Sequence, residues 1–334
     1  MDMVVTPPGL ICRYSDTPHA GVIPDLALAQ FRFDAHCENP PGTPVLSTGL
    51  QPLVEGIAGE LLAVAGGPVT RGFGEQCYWA ESDDYLFLAL WADETDAAGL
   101  AAISQHLYQR LLGHTRARGY PHLVRMWNYF ADINGETQGL ERYRQFCLGR
   151  FDAFTAHGLA ENQYPSACAL GHGGGDLLVY ALASKTTPWH FENPRQASAY
   201  HYPAEYGPRS PSFARASLLS LPGQTATLFV SGTASVVGYL TLHPYQLGGQ
   251  IDVTLENLEL LLAHVAQQYR HARGGNPQLK AEVLKVYIRN PADLAAIKAR
   301  VGQAYPQAAI AYVVADICRA DLLLEIDGIW NLLP

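Results

Sequence analysis

Near the end of the chain, apolar and polar positions alternate through Cys318-Arg-Ala-Asp-Leu-Leu-Leu-Glu325-Ile-Asp-Gly328. A period of two predicts a strand, with Leu322, Leu324 and Ile326 on one face and Leu323, Glu325 and Asp327 on the other. A carboxylate midway along an apolar strand has two readings. It lies on a solvated sheet face, or it sits in a cleft with a raised pKa and can donate a proton. Upstream, residues 1–80 are rich in Pro and Gly and lack a strong period, which predicts short strands and loops around Gly21–Phe33 and Gly56–Val69. The pattern sharpens at Tyr85–Trp91, a continuous apolar run that reads as a buried strand. A helix is predicted from about Thr95 to Arg118, with Leu100, Ile103, Leu107 and Leu111 on one face. Then come a strand at His122–Phe130, a helix at about Leu140–His157, and strands near Ser166–Leu170 and Asp176–Ala183 joined by a glycine turn at Gly173–Gly175.

The same order recurs: a strand at Thr225–Ser231 and a helix at about Val253–Arg273, with Leu258, Leu261, Leu262, Val265 and Tyr269 on one face. A strand at Glu282–Arg289, a short helix at Pro291–Val301 and strands at Ala308–Ala315 and Asp321–Ile329 complete it. Asp176–Tyr180 lines up with Asp321–Glu325, and His122–Arg125 with Glu282–Lys285 within one residue. This predicts an α+β protein with an internal duplication of βαβαββ units, each sheet covered on one side by helices. The linker between copies, Lys185–Glu205, is rich in Pro and aromatics and is expected to pack across the junction.

With 334 residues, 48% apolar and 16% charged, the chain is long enough for two globular domains. A net charge of −9 argues against a nucleic-acid partner but leaves room for an anionic small molecule held by a local arginine cluster. None of the six cysteines forms a CxxC pair, so reduced thiols in a cytoplasmic protein are expected. The opening Met-Asp-Met-Val-Val-Thr-Pro-Pro has no basic region and no long apolar run, so no signal peptide is read there, and no window is long and apolar enough to span a membrane. The twelve histidines include no HExxH pattern, His201 and His243 stand alone, and Gly171-His-Gly-Gly-Gly175 lies between two strands, where a tight turn is expected in place of a phosphate loop. Neither a metal nor a cofactor is expected.

Two resemblances follow. Tyr206-Gly-Pro-Arg-Ser-Pro-Ser-Phe-Ala-Arg215, Leu228-Phe-Val-Ser231-Gly232-Thr233 and Leu324-Glu325-Ile-Asp-Gly resemble, in order, segments of the Rid (YjgF-like) family, covering about residues 206–331. That resemblance implies a chorismate-mutase-like topology. Because Rid proteins are trimers with clefts between subunits, it also implies two related domains, a pseudo-oligomeric arrangement and an interdomain cleft. The arginine that Rid proteins carry before their penultimate strand should fall near Ile310 and is missing, which argues against imine deamination. The whole chain resembles the chorismatase family, through Arg142-Tyr-Arg-Gln-Phe-Cys-Leu-Gly149-Arg150, Tyr206–Arg215, Ser231-Gly232-Thr233-Ala234 and Cys318…Glu325. The expected division is a chorismatase N-terminal domain at 1–205, with its repeat at about 85–184, and a Rid-like domain at 206–334. The resemblance implies cofactor-free cleavage of the enolpyruvyl ether of chorismate, releasing pyruvate. The second product is 3-hydroxybenzoate, 3- and 4-hydroxybenzoate together, or a dihydroxycyclohexadiene carboxylate. A cysteine seven residues before the glutamate resembles the hydroxybenzoate-forming branches.

The residues suit such a substrate. Two carboxylates call for two cationic donors, best supplied by arginine. Arg142 and Arg150, about two turns apart on one helix, with Arg209, Arg215 and Arg289, are the candidate clamp. Gly149 weakens its helix, as if something nearby needs the space. Tyr202 and Tyr206 are candidates to line a pocket for the ring, and Ser231, Gly232 and Thr233 to line the site. Glu325 is the expected acid and Cys318 the residue expected to steer the second stage. A monomer or weak homo-oligomer is expected.

Overall fold

The computed structural model describes residues 9–16 and 24–333; Gly21–Ile23 and the opening octapeptide fall outside them. Four short strands, β1 (Leu10–Ser15), β2 (Ala27–Arg32), β3 (Val45–Ser47) and β4 (Gly59–Val64), form an N-terminal sheet in the order β1-β4-β2-β3. Their weak period has a physical cause. Ala27, Leu28, Ala29, Gln30 and Phe31 are all buried, so β2 has no solvent face to alternate with.

Next come β5 (Thr70–Gly74), β6 (Cys77–Glu81), β7 (Tyr85–Ala92), α1 (Leu100–Ala117), β8 (His122–Ala131), a two-strand hairpin of β9 (Glu136–Thr137) and β10 (Leu140–Glu141), α2 (Arg142–Ala156), β11 (Ser166–His172) and β12 (Leu177–Ser184). Helix α1 starts five residues later than expected, because Asp93 and Asp96 accept from the backbone N–H of Thr95 and Ala98 and hold that stretch as turns.

The second half supplies β13 (Trp189–Phe191), β14 (Ala216–Leu219), β15 (Ala226–Thr233), the hairpin β16 (Val236–Val237) and β17 (Leu240–Thr241), α3 (Leu247–Arg273), β18 (Gln278–Ile288), α4 (Leu294–Ala304), β19 (Ala309–Val314), β20 (Asp316–Ile317) and β21 (Leu324–Leu333). The predicted linker therefore contains a strand, since β13 pairs with β14 at the edge of the second sheet.

The fold is mixed α+β and mostly sheet. The seven-stranded sheet runs β20-β11-β8-β12-β7-β6-β5, the six-stranded sheet β13-β14-β15-β21-β18-β19. Within them, β11-β8-β12-β7 and β19-β18-β21-β15 have the same order and the same directions: the first pair parallel, the others antiparallel. Each sheet packs one face on its own helices. The other faces, with the N-terminal sheet, enclose one shared core that holds Phe31, Trp127, Tyr180, Tyr287 and Ile329. Burial on both faces explains the unbroken apolar run of β7.

The two halves are also joined edge to edge. Ser231 Oγ accepts from Ala167 N–H at 2.8 Å, Ser217 Oγ accepts from Ser166 N–H at 2.8 Å, and Ala214 N–H donates to Pro165 carbonyl at 3.0 Å.

Cys318 is not on a strand, as its alternation suggested. Residues 318–323 form a turn, closed by Leu322 N–H donating to Arg319 carbonyl, and β21 begins at Leu324. From there the alternation holds. Leu324 and Ile326 face the helix-side core, while Ile329, on the face of Glu325 and Asp327, joins the shared core.

Candidate active site

Glu325 is buried, and its carboxyl lies over a backbone irregularity in the neighbouring strand. Between Val230–Gly328 and Thr233–Ile326, two residues of β15, Ser231 and Gly232, oppose the single Asp327. A Cβ on Gly232 would stand 1.7 Å from Glu325 Oε1, so only glycine leaves room for the carboxyl there. Burial pushes the Glu325 carboxyl up to about 8; Asp327 adds to the rise, while Arg125 and Arg215 oppose it. At neutral pH this group is a protonated acid.

The carboxyl opens onto a cavity of about 440 Å³ whose walls come from both halves of the chain. The first half contributes Tyr143, Arg144, Arg150 and Cys168; the second contributes Tyr202, Tyr206, Phe213, Arg215, Cys318 and Arg319. Arg150 and Arg215 are both buried, and both have guanidinium N–H groups without a protein partner: Nε and Nη2 of Arg150 and Nε of Arg215. Arg215 Nη2 donates to Tyr202 Oη at 2.8 Å and to Ala197 carbonyl at 3.1 Å, which fixes its plane. Two buried cations with unmatched donors in the wall of one cavity suit an anion that is not part of the protein. Arg319 stands at the mouth, 4.4 Å over the Tyr206 ring, with Nη1 held by Tyr239 carbonyl at 2.8 Å. Arg144 pairs with Glu141 at 2.8 Å and is part exposed. The Cys318 thiol lines the cavity, and burial pushes it up to about 12, so it is a neutral thiol and not a thiolate nucleophile.

Other expected residues serve elsewhere. Arg142 is turned out of the cavity into an ion pair with Glu94, beside His172. At about 100° per residue, positions 142 and 150 differ by roughly 80°, whereas Tyr143 and Arg150 share a face. Gly149 serves helix packing: a Cβ there would stand 2.1 Å from Ala101 carbonyl of α1. Arg209 is exposed, 4.4 Å over the Phe151 ring. Arg289 builds the Cys318 turn, donating to the carbonyls of Leu322, Ile317 and Arg319 and to Asp316. Ser231 and Thr233 keep their hydroxyls on backbone groups, Ser231 on Ala214 carbonyl at 2.6 Å and Thr233 on Ser231 carbonyl at 3.0 Å. Among the described residues, no group of three or more His, Cys, Asp or Glu side chains is placed to hold a metal ion, and no helix is long and apolar enough to cross a membrane.

Residues 62–183 match the family described as "Chorismatase FkbO/Hyg5-like, N-terminal". The chain is 42% identical over 217 residues to a protein named 3-hydroxybenzoate synthase of Streptomyces hygroscopicus, an alignment covering 63% of this chain and 64% of that protein. It is 37% identical over 267 residues to a chorismatase of the same organism, covering 78% and 76%. A crystal structure of a chorismatase at 1.08 Å superposes on 98% of this chain and 99% of that one, with TM-score 0.84 and 31% identity.

Proposed function

The chain belongs to the chorismatase family, and from that premise we propose that it cleaves chorismate to pyruvate and a hydroxybenzoate, 3-hydroxybenzoate above all. One observation carries the reading: a protonated, buried carboxyl, Glu325, opens onto a cavity whose wall holds two buried arginines, Arg150 and Arg215, with unmatched donors. Chorismate has two carboxylates and an enol ether whose methylene carbon must be protonated. Arg150 and Arg215 each hold a carboxylate; Tyr202, Tyr206 and Phe213 flank the ring. Glu325 delivers its proton to the methylene carbon, giving an oxocarbenium ion. The adjacent ring hydroxyl captures that ion, and pyruvate leaves as the ring loses a proton and becomes aromatic. No step needs an oxidant or a cofactor. Incubation with chorismate, followed by pyruvate assay and chromatography of the second product, tests the reading; no pyruvate above the buffer blank rejects it.

The finer expectations belong to the same proposal. Matching sheet topologies support a reading of residues 1–205 as one domain, with its Rid-like repeat at about 85–184, and 206–334 as a Rid-like second, a pseudo-oligomer within one chain with the cavity as the cleft between them. The enzyme is cytoplasmic, acts on a small molecule and not on nucleic acid, and is a monomer or weak homo-oligomer.

Two variants probe it. Cys318→Ala is expected to keep pyruvate release within about tenfold, a barrier change of roughly 1.4 kcal/mol. Room for a water where the thiol stood should shift the second product toward the non-aromatic diol. Product analysis alongside pyruvate measurement checks this, and an unchanged ratio reduces Cys318 to packing. Arg142→Ala leaves Glu94 buried without its cation, so it is expected to cost on the order of 3 kcal/mol of stability. KM should stay within about threefold of the parent, and a large rise in KM would put Arg142 back in the clamp.

A further inference from the structure

A second carboxyl stands beside the acid. Asp327 lies two residues on from Glu325 along β21 and so points to the same face; it is 3% exposed. Its Oδ2 accepts from Arg125 Nη2 of β8 at 2.5 Å and from Tyr287 hydroxyl of β18 at 3.0 Å. Tyr287 is itself anchored by Tyr129 hydroxyl at 2.9 Å, and its oxygen lies 3.8 Å from Cys168 Sγ, which lines the cavity. This assembly sits behind the acid and does not line the cavity, so no contact with substrate explains it.

We propose that Asp327 is a positioning residue that keeps the Glu325 acid loaded; Tyr287 and Arg125 fix its carboxylate, and Arg125 at the same time offsets part of its charge. The inference rests on Glu325 as the proton donor. The physical logic is like-charge proximity: a fixed carboxylate nearby makes a second negative charge costly, so Glu325 retains its proton. Two cations work against it, Arg125 and, from the cavity side, Arg215. The other titratable groups around Glu325 are Tyr287, opposite it on β18, Lys285, opposite Asp327, and the thiols Cys168 and Cys318. Lys285 is engaged by Glu60 at 2.5 Å. Strand β15 brings none, only Ser231 and Gly232. Asp327 therefore supplies the negative charge in this group that favours the loaded acid.

The test is the pH profile of kcat/KM for pyruvate release, which reports the free enzyme. Asp327→Asn keeps the shape and removes the charge, so its basic limb is expected about one pH unit lower, a roughly fivefold loss at pH 8 that approaches tenfold at higher pH. Arg125→Gln removes the opposing charge, so its limb is expected to move up. Either variant alone decides, so one that fails to fold leaves the other. A folded variant with an unmoved limb, or movement of both limbs in one direction, overturns the proposal. A second readout needs no turnover. The stability that Glu325→Gln gains at pH 8 relative to pH 5, measured by thermal unfolding, is expected to shrink in the Asp327→Asn background; an equal gain in both backgrounds overturns the proposal. If the parent releases no pyruvate, the assignment of activity fails, and this stability cycle still decides the role of Asp327.

Discussion

Glu325→Gln is expected to lower kcat for pyruvate release by roughly two to four orders of magnitude, the usual size for loss of a general acid, while making the protein more stable at neutral pH. The two effects share one origin. In the fold the carboxyl titrates near 8, against 4.5 for the ordinary group. A carboxyl with a raised folded-state pKa binds its proton more tightly when native. Its contribution is therefore fully present below about pH 4.5 and is lost as pH rises toward 8. At neutral pH the parent carries a cost on the order of 3 kcal/mol, and the amide, which cannot ionise, is expected to recover about 1–3 kcal/mol of it. Thermal unfolding at pH 5 and pH 8 separates the outcomes: a gain confined to the higher pH supports the raised carboxyl, and a loss at both would mean that Glu325 is a structural acceptor. Near-normal turnover in a folded variant would remove Glu325 from the mechanism.

Arg150→Ala and Arg215→Ala are each expected to lower kcat/KM by about 2–4 kcal/mol, roughly 30- to 1000-fold, because each removes one member of a buried charge pair with a substrate carboxylate. Neither should unfold the protein. Both guanidiniums have donors that the fold leaves unmatched; Arg215 also ties Tyr202 and the Ala197 carbonyl, so its truncation is expected to cost some stability as well as binding. Arg209→Ala is the control: an exposed side chain lying on Phe151 should leave kcat/KM within about twofold. If the three variants behave alike, the carboxylates are held by something else, and Arg319 and Arg144 at the mouth become the first candidates.

What could be read from the residues divides along physical lines. Elements with one dominant periodicity were legible: the apolar stripe Leu100, Ile103, Leu107 and Leu111 is buried as expected, and Leu324 and Ile326 alternate with Glu325 and Asp327 on β21. The early start of α3 was not, because Gly248 and Gly249 argue against helix; Gly249 is there because the His243 ring would be 2.5 Å from its Cβ. Strand β13 was hidden in a short Pro-flanked edge segment. Within the site, a carboxylate on an apolar strand marked Glu325, but arginines carry no such local signal. Arg289 and Arg319 differ only in what the fold sets beside them, the Cys318 turn and Asp316 for one and a tyrosine ring at the cavity mouth for the other. Arg150, a hydrophobic-helix cation two turns from the hairpin, could have been singled out with Tyr143 by strict helical angle.

The bonds from Ser166 and Ala167 to Ser217 and Ser231 have a consequence for access. A two-walled cleft commonly admits its ligand by hinging, with the walls swinging apart about a thin seam. Here the base of the cleft is itself sewn, and prising it open would strip buried backbone N–H groups at roughly 1–3 kcal/mol each. The route in must lie at the rim. There the β16–β17 hairpin holds out Leu240, 52% exposed, and Arg319 lies over the Tyr206 ring with its Nη1 on the Tyr239 carbonyl. The hairpin tip is tied through Gly238 to Arg195 and Ala197, so opening the rim breaks a few hydrogen bonds and leaves the seam intact. A ligand can therefore pass a small flap over a rigid vault without the two halves parting.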